Sequence, residues 1–268
     1  MRATVLIDNL AQERLACEWG LSVHIAYKGK NILLDAGTTG SFADNAKELG
    51  IDLAAVDLAV LSHAHYDHAN GLDRFFRLNS IAPVYIAEEA RENCYSWKKF
   101  LPRYNGLRRG MLRDHAARFI RSSGEILPGA HLLPHGAPFF PEMGRTNALY
   151  VRRGLRMLPD DFRHEHSLVL ETPSGLAVFS SCSHAGPDVV IREVQSAFPG
   201  QKIRAIIGGF HLYRTPEPEI RALACRIRSL GVESIITGHC TGSAAFEILR
   251  GELGPSVQQM YTGMIINL

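Results

Sequence analysis

The sequence predicts an α/β fold built as a four-layer sandwich, with two mixed sheets face to face and helices outside them. Three observations lead there. Short apolar runs closed by Gly, Ser or Asp alternate with helical patterns in βαβ fashion. Tight turns join the extended segments that precede those units. The order of strands followed by helix and strand occurs twice, once in each half of the chain.

In order, residues 4–9, 21–27 and 31–35 read as strands, the last two joined by the turn Lys28-Gly29-Lys30. Residues 41–49 read as a helix stopped by Gly50, and 58–61 as a buried strand. Gly71 permits a tight turn into a helix from about Leu72, and a strand at 83–87 follows. Residues 91–146 break this rhythm, being basic at first and then rich in Pro and Gly without a clean period, which predicts an inserted cap or lid. Strands resume at 149–152, 167–171 and 176–180, the last two bracketing Thr172-Pro173-Ser174-Gly175. The chain then predicts helix 187–198, strand 203–207, helix 217–230, strand 234–237, a helix near 244–249 and one final strand at 257–268.

A chain of 268 residues with 46% hydrophobic content holds an ample core, and one domain is expected. A net charge of +2 implies neither a nucleic-acid footprint nor an acidic tail. No run approaches membrane-spanning length, and the N-terminus lacks the apolar core and cleavage site of a signal peptide. Five cysteines without paired spacing fit reduced thiols, so a cytoplasmic protein is expected. A homodimer is compatible with this composition.

The densest chemistry is His63-Ala64-His65-Tyr66-Asp67-His68, directly after the apolar run at 58–61. Residues two apart in an extended segment face the same way, so His63 and His65 can grip one metal ion. Once the chain turns, Asp67 and His68 can reach a second ion or orient the first. Four solvated polar residues in a loop would be the bland alternative, but clustered His with Asp is a metal signature in its own right.

Three later strand ends deliver polar groups again: Ser181-Cys182-Ser183-His184, Gly208-Gly209-Phe210-His211 and Gly238-His239-Cys240. Ends of parallel strands lie side by side, so these segments can converge on one locus. The Cys182 thiolate could serve as a soft anionic ligand, with His184 competing for that role. His164 and His166 are further candidates, although a charged turn at 160–166 would look the same. Between 98 and 121 lie Lys98, Lys99, Arg103, Arg108, Arg109, Arg113, Arg118 and Arg121, interleaved with Trp97, Phe100 and Tyr104 and with Asp114 as the one acid. A solvated helical face is one reading. The other is a cap in which Arg108, Arg109 and Arg113 attract an anionic, phosphorylated substrate.

His63 through His68 resembles the HxHxDH motif of the metallo-β-lactamase superfamily. Asp8-Asn9, Glu18-Trp19-Gly20-Leu21-Ser22, Leu34-Asp35-Ala36-Gly37, Cys182-Ser183-His184-Ala185-Gly186, Gly208-Gly209-Phe210-His211-Leu212 and Gly238-His239-Cys240-Thr241-Gly242 are similar to the dihydropterin-linked β-ribofuranosylaminobenzene 5′-phosphate synthase branch. The resemblance implies an αββα sandwich holding two divalent ions between its sheets, zinc first with manganese or iron as alternatives. His63 and His65 would hold the first ion, and Asp67, His68 and His239 the second. Cys182 stands where the superfamily usually has an Asp, with His184 nearby.

A bound divalent ion lowers the pKa of its water from about 15.7 towards 7 and polarises carbonyl or phosphoryl oxygens. The expected function is therefore a metal-dependent enzyme acting on a small anionic substrate. Asp67 would orient the nucleophile and His211 would donate a proton or touch substrate. Hydrolysis and pterin-methyl transfer are both open. A di-metal redox or sulfur-chemistry protein, suggested by Cys182 and Cys240, is the second class, and a ribonuclease Z-like nuclease is the third. A membrane partner is not expected, and near-neutral charge argues against nucleic acid.

Overall fold

A computed structural model describes residues 1–98, 101–111, 113, 117–136 and 140–268. The N-terminal half runs β1 (Arg2–Ile7), β2 (Ser22–Tyr27), β3 (Lys30–Leu34), α1 (Ser41–Glu48), β4 (Leu58–Leu61), α2 (Tyr66–Ala69), α3 (Leu72–Leu78) and β5 (Val84–Ala87). Next come β6 (Cys94–Lys98), β7 (Leu101–Tyr104), β8 (Ala117–Ile120), β9 (Gly124–Leu127), β10 (Ala130–Pro134), α4 (Phe140–Thr146), β11 (Leu149–Arg153) and β12 (Arg156–Pro159). The remainder is β13 (His166–Thr172), β14 (Gly175–Phe179), α5 (Pro187–Ala197), β15 (Ile203–Gly208), α6 (Glu217–Ser229), β16 (Ser234–Thr237), α7 (Ser243–Leu253), β17 (Val257–Gln259) and β18 (Ile265–Asn267).

Two seven-stranded sheets result, in the orders β18-β1-β2-β3-β4-β5-β8 and β17-β16-β15-β14-β13-β10-β9. In the first, the pairs from β18 to β3 are antiparallel and those from β3 to β8 are parallel. The second repeats the scheme, with β17 to β14 parallel and β14 to β9 antiparallel. Parallel strands buried on both faces read as unbroken apolar runs, which explains Leu58-Ala59-Val60-Leu61. Its alternate residues go opposite ways. Leu58 and Val60 join Val23, Leu168, Phe179 and Ile207 in the layer between the sheets. Ala59 and Leu61 pack with Phe42, Leu72 and Phe75 under α1 and α3. On the far side, Val194, Leu223 and Leu249 of α5, α6 and α7 cover Val169, Val178 and Ile206.

Two expectations need correcting. The single strand foreseen at 257–268 is two strands, β17 and β18, which close opposite sheets and so tie the end of the chain to both. Residues 91–146, where a cap was expected, divide among three sheets. β8 extends the first sheet, β9 and β10 extend the second, and β6 and β7 join β11 and β12 in a small antiparallel sheet. Where it is described, the basic stretch is strand and turn rather than helix. Lys99, Phe100 and Asp114 lie outside the described residues. Among the described residues no helix is long and apolar enough to cross a membrane.

Gly71 is required for closeness, not for turning. Its φ of −65° is ordinary, but a Cβ there would lie 1.8 Å from the Ala36 carbonyl oxygen. That contact holds the start of α3 against the end of β3, beside the His-rich loop. Gly71→Ala should therefore cost about 1–3 kcal/mol through overpacking. Gly251→Ala, in open space on α7, should be neutral or stabilising by up to about 1 kcal/mol. Chemical denaturation of both variants checks the contrast, and equal stabilities would refute it.

Candidate metal centre

β4 ends at Leu61, and the chain bends at His63 and Ala64 before the one-turn helix α2 lifts Asp67 and His68. All four residues are buried. Across the sandwich, the loops after β14, β15 and β16 bring in Cys182 with His184, His211, and His239 with Cys240. His63, Cys182 and His184 offer donor atoms all within 4.8 Å of one another, as do His68, Cys182 and His239. Cys182 belongs to both sets, so His184 does not replace it, as the sequence allowed, but stands beside it. The His63 ring lies 4.8 Å from that of His65 and 5.0 Å from that of His184.

Oxygen acceptors behind the rings decide which nitrogen faces inward. Asp35 accepts the backbone N–H of Ser62 at 2.8 Å, the Ser62 hydroxyl at 2.7 Å and His68 Nδ1 at 2.8 Å. The Ser62 oxygen is then free to accept from His63 Nδ1, also at 2.8 Å. His184 Nδ1 donates to Glu165 at 3.1 Å, and His239 Nδ1 donates to the Asn9 side-chain oxygen at 3.1 Å. In each ring the remaining Nε2 carries a lone pair. His63 Nε2 and His184 Nε2 are buried without any partner. His68 Nε2 sits 3.1 Å from His239 Nε2 and 3.2 Å from Cys182 Sγ. Lone pairs converging in a buried space repel one another unless a cation lies between them, so this donor set fits a divalent metal.

The charges agree. Burial, then His68 and the other imidazoles, holds His63 far below the ordinary imidazole range; burial takes His65 to about 4, and burial with His68 takes His239 to about 3. Neutral imidazole is the form that binds metal. Burial would raise Glu165, yet the neighbouring His184 holds its carboxyl down at about 2. Burial likewise opposes ionisation of Asp67, but His68 and His239 outweigh it and keep the carboxyl low. Asp67 also accepts the Trp19 indole N–H at 2.8 Å and lies 3.6 Å from His239 Nε2.

His164 stands with His65, Cys94 and Asp160 in a separate group of donor atoms all within 4.8 Å of one another, and His166 belongs to none of these groups. The Ala64 N–H donates to His164 Nδ1 at 3.2 Å, which leaves the His164 proton on Nε2, directed at Asp160 at 3.1 Å. Asp160 in turn is 3.8 Å from His65 Nε2, so this pair and Cys94 back the His65 ring. His166 is buried on β13 with neither ring nitrogen partnered. His211 leaves Nδ1 unpartnered, and its ring lies 4.5 Å from that of His184.

Asp35, Ser183, His211 and His239 all have φ between 47° and 56°. Left-handed backbone costs a non-glycine residue roughly 1–3 kcal/mol, and such strain concentrates where surrounding contacts impose it for function. Sequence reading missed Asp35, Asn9 and Glu165 as supports. Acidic or amide residues closing apolar strands were the available signal.

A cavity of about 310 Å³ opens over the centre, lined by His65, Asp67, Cys182, His184, His211 and Cys240, with Trp19, Trp97, Tyr213 and Arg214 around its walls. Trp19 meets Tyr213 edge-on at 5.3 Å, and the Arg214 guanidinium stacks 5.1 Å over the Tyr213 ring. Arg108, Arg109 and Arg113, expected to hold substrate, are not part of this lining. Arg108 is bound to Asp73, and Arg109 stacks on Tyr104 and reaches the Tyr95 hydroxyl. Among the described residues, the Lys or Arg side chain in the cavity lining is Arg214.

Asp35→Asn should weaken metal binding about 10–100-fold, read by competition with a chromophoric chelator. Cys182→Ser should change the metal-to-protein ratio in elemental analysis. Unaltered affinity in the first case, or an unaltered ratio in the second, would contradict the donor arrangement.

Residues 20–193 match the family model of the metallo-β-lactamase superfamily. The 7,8-dihydropterin-6-methyl-4-(β-D-ribofuranosyl)-aminobenzene-5′-phosphate synthase of Methanocaldococcus jannaschii is 28% identical over 247 residues, covering 88% of this chain and 84% of the synthase. The crystal structure of a metal-dependent hydrolase of the β-lactamase superfamily superposes with a TM-score of 0.88 at 31% identity, covering 100% of this chain and 99% of that one. Zn(2+)-bound PqqB from Methylobacterium extorquens shares the fold at a TM-score of 0.60 and 12% identity, covering 100% of both chains. With its αββα layers and its converging histidines, this chain belongs to the metallo-β-lactamase superfamily of metal-dependent enzymes.

Proposed function

We propose that the protein uses two divalent ions, zinc foremost, to hydrolyse a small phosphorylated compound that carries a planar ring. The cavity is the observation that supports this reading: Trp19, Trp97 and Tyr213 offer aromatic surface and Arg214 a cation, directly above the shared donor Cys182. Planar rings stack on such walls, and a guanidinium pairs with phosphate in a forked geometry. The synthase relative is named for a dihydropterin and a ribofuranosyl aminobenzene phosphate, and both rings and the phosphate suit these walls.

His63, His65 and His184 would hold one ion and Asp67, His68 and His239 the other, with the Cys182 thiolate between them. When bound, the ions supply Lewis acidity and water of lowered pKa. Asp67, held by the Trp19 indole, keeps one carboxylate oxygen fixed and accepts the proton of the attacking water. His211, with Nδ1 unpartnered at the cavity wall, is placed to give a proton to the leaving group.

One observation favours transfer as a second reading. A chamber of about 570 Å³ lies on the other side of Asn147, His184 and His211, which line both spaces. Two chambers meeting at one centre suit two substrates.

Turnover in ¹⁸O-labelled water separates the two readings, because hydrolysis places the label in product and transfer to a second substrate does not. Asp67→Asn should lower kcat by about 10²–10⁴-fold. Arg214→Ala should raise KM for a phosphorylated substrate by about 10–100-fold, the worth of one charge-assisted hydrogen bond, and leave an uncharged analogue unaffected. Equal KM changes for both substrates would remove the phosphate from the proposal.

A further inference from the structure

Cys240 has no part in the two donor sets described above, yet with His211 it forms a third group of donor atoms around Cys182, the residue they share, all within 4.8 Å of one another. Its Sγ is 3.4 Å from Cys182 Sγ and accepts the His211 backbone N–H at 3.2 Å. Both sulfurs border the same cavity, and both cysteines are free thiols. Cys182 follows β14 and Cys240 follows β16, with β15 running between them. The sulfurs meet because the end of β15 carries no side chain there. A Cβ on Gly209 would stand 2.5 Å from Cys240 Sγ, and one on Gly208 would stand 2.0 Å from the Ser180 carbonyl oxygen. The other three cysteines stand apart, Cys94 buried beside His164 and Cys17 and Cys225 exposed.

We propose that Cys182 and Cys240 are a redox pair that closes to a disulfide when metal-free protein meets a peroxide, and that the closed form does not take up metal. One sulfur attacks a peroxide oxygen, the O–O bond breaks, and a sulfenic acid and hydroxide result. The second sulfur attacks the sulfenic sulfur, the S–O bond breaks, and water leaves. In sum, two thiols and hydrogen peroxide yield one disulfide and two waters, the sulfur pair losing the two electrons that the peroxide gains. A disulfide of about 2.05 Å requires the sulfurs to approach by about 1.3 Å from their present separation. Closure removes the donor common to both sets, leaving His63 with His184 and His68 with His239 without an anionic ligand. It also keeps Cys182 from irreversible sulfinic and sulfonic oxidation, since a dithiol reductant restores both thiols. Disulfide formation stands on the thiol geometry alone, while its effect on metal uptake rests on Cys182 being the shared donor.

The test uses the full chain as purified and after chelation, with near-UV circular dichroism confirming that the chelated protein keeps its tertiary packing. Each sample is exposed to equimolar hydrogen peroxide, alkylated, and mapped as peptides without reduction, and zinc uptake is then measured by elemental analysis. The chelated protein should yield a linked Cys182–Cys240 peptide, lose two of its five alkylatable thiols, take up at least tenfold less zinc, and recover both on treatment with dithiothreitol. Zinc-loaded protein should form the link at least tenfold more slowly. Cys240→Ser should instead accumulate sulfinic or sulfonic acid at Cys182 that dithiothreitol does not reverse. Both thiols remaining alkylatable in the chelated wild type, or a link involving other cysteines, would overturn the pair. A Cys182–Cys240 link with undiminished zinc uptake would overturn the block on metal, and with it the role of Cys182 as shared donor.

Discussion

A single buried carboxylate organises the centre. Asp35, in left-handed backbone at the end of β3, receives the Ser62 backbone, the Ser62 hydroxyl and the His68 ring. Through Ser62 it also sets the proton of His63. One residue therefore fixes the first loop in place and turns the free nitrogens of two imidazoles into the gap between the sheets. Its own charge is satisfied by three hydrogen bonds in a space that water does not reach, which is the condition under which a buried anion is tolerable.

The opposite wall follows the same logic with different residues. Glu165 holds His184 through both its backbone and its ring, and Asn9 holds His239. Each outer oxygen removes one tautomer from the histidine it touches. The result is a group of lone pairs aimed at one small volume. Burial of the cationic form, with repulsion from neighbouring imidazoles, drives His63, His65 and His239 far towards their neutral forms, and the lone pairs that remain repel one another unless a cation lies between them. A site built this way is a strained vessel for positive charge, consistent with membership of a metal-dependent family.

Much of this was legible in the residues. The density of His63 to His68 after an apolar strand required chemistry, and the apolar strands ending in Gly-flanked His pointed to convergence, because parallel strands align their ends. Strands β4 and β16 were readable to the residue, since unbroken apolar runs bounded by polar residues have few alternative readings. The segment 91–146 was not, because its strands are short edge or small-sheet strands with exposed faces, such as β7 and β8, whose alternation is too weak to register. The arginines misled for a related reason. Positive charge is visible in a sequence, but Arg108 was already committed to Asp73 and Arg109 to Tyr104, and only packing shows which cation is left to face a cavity.

By itself the sequence determined the layer order, the family pattern and the histidines, because periodicity and ligand type are local properties. Tertiary structure decided the rest. That Cys182 and His184 both join the histidines, which nitrogen each ring offers, and that Arg214 rather than Arg108 lines the cavity all depend on contacts between separate elements, some more than a hundred residues apart, such as His68 with Cys182 and His239. Hydrogen-bond partners at that separation leave no mark on the spacing of a chain, so only the folded arrangement could assign them.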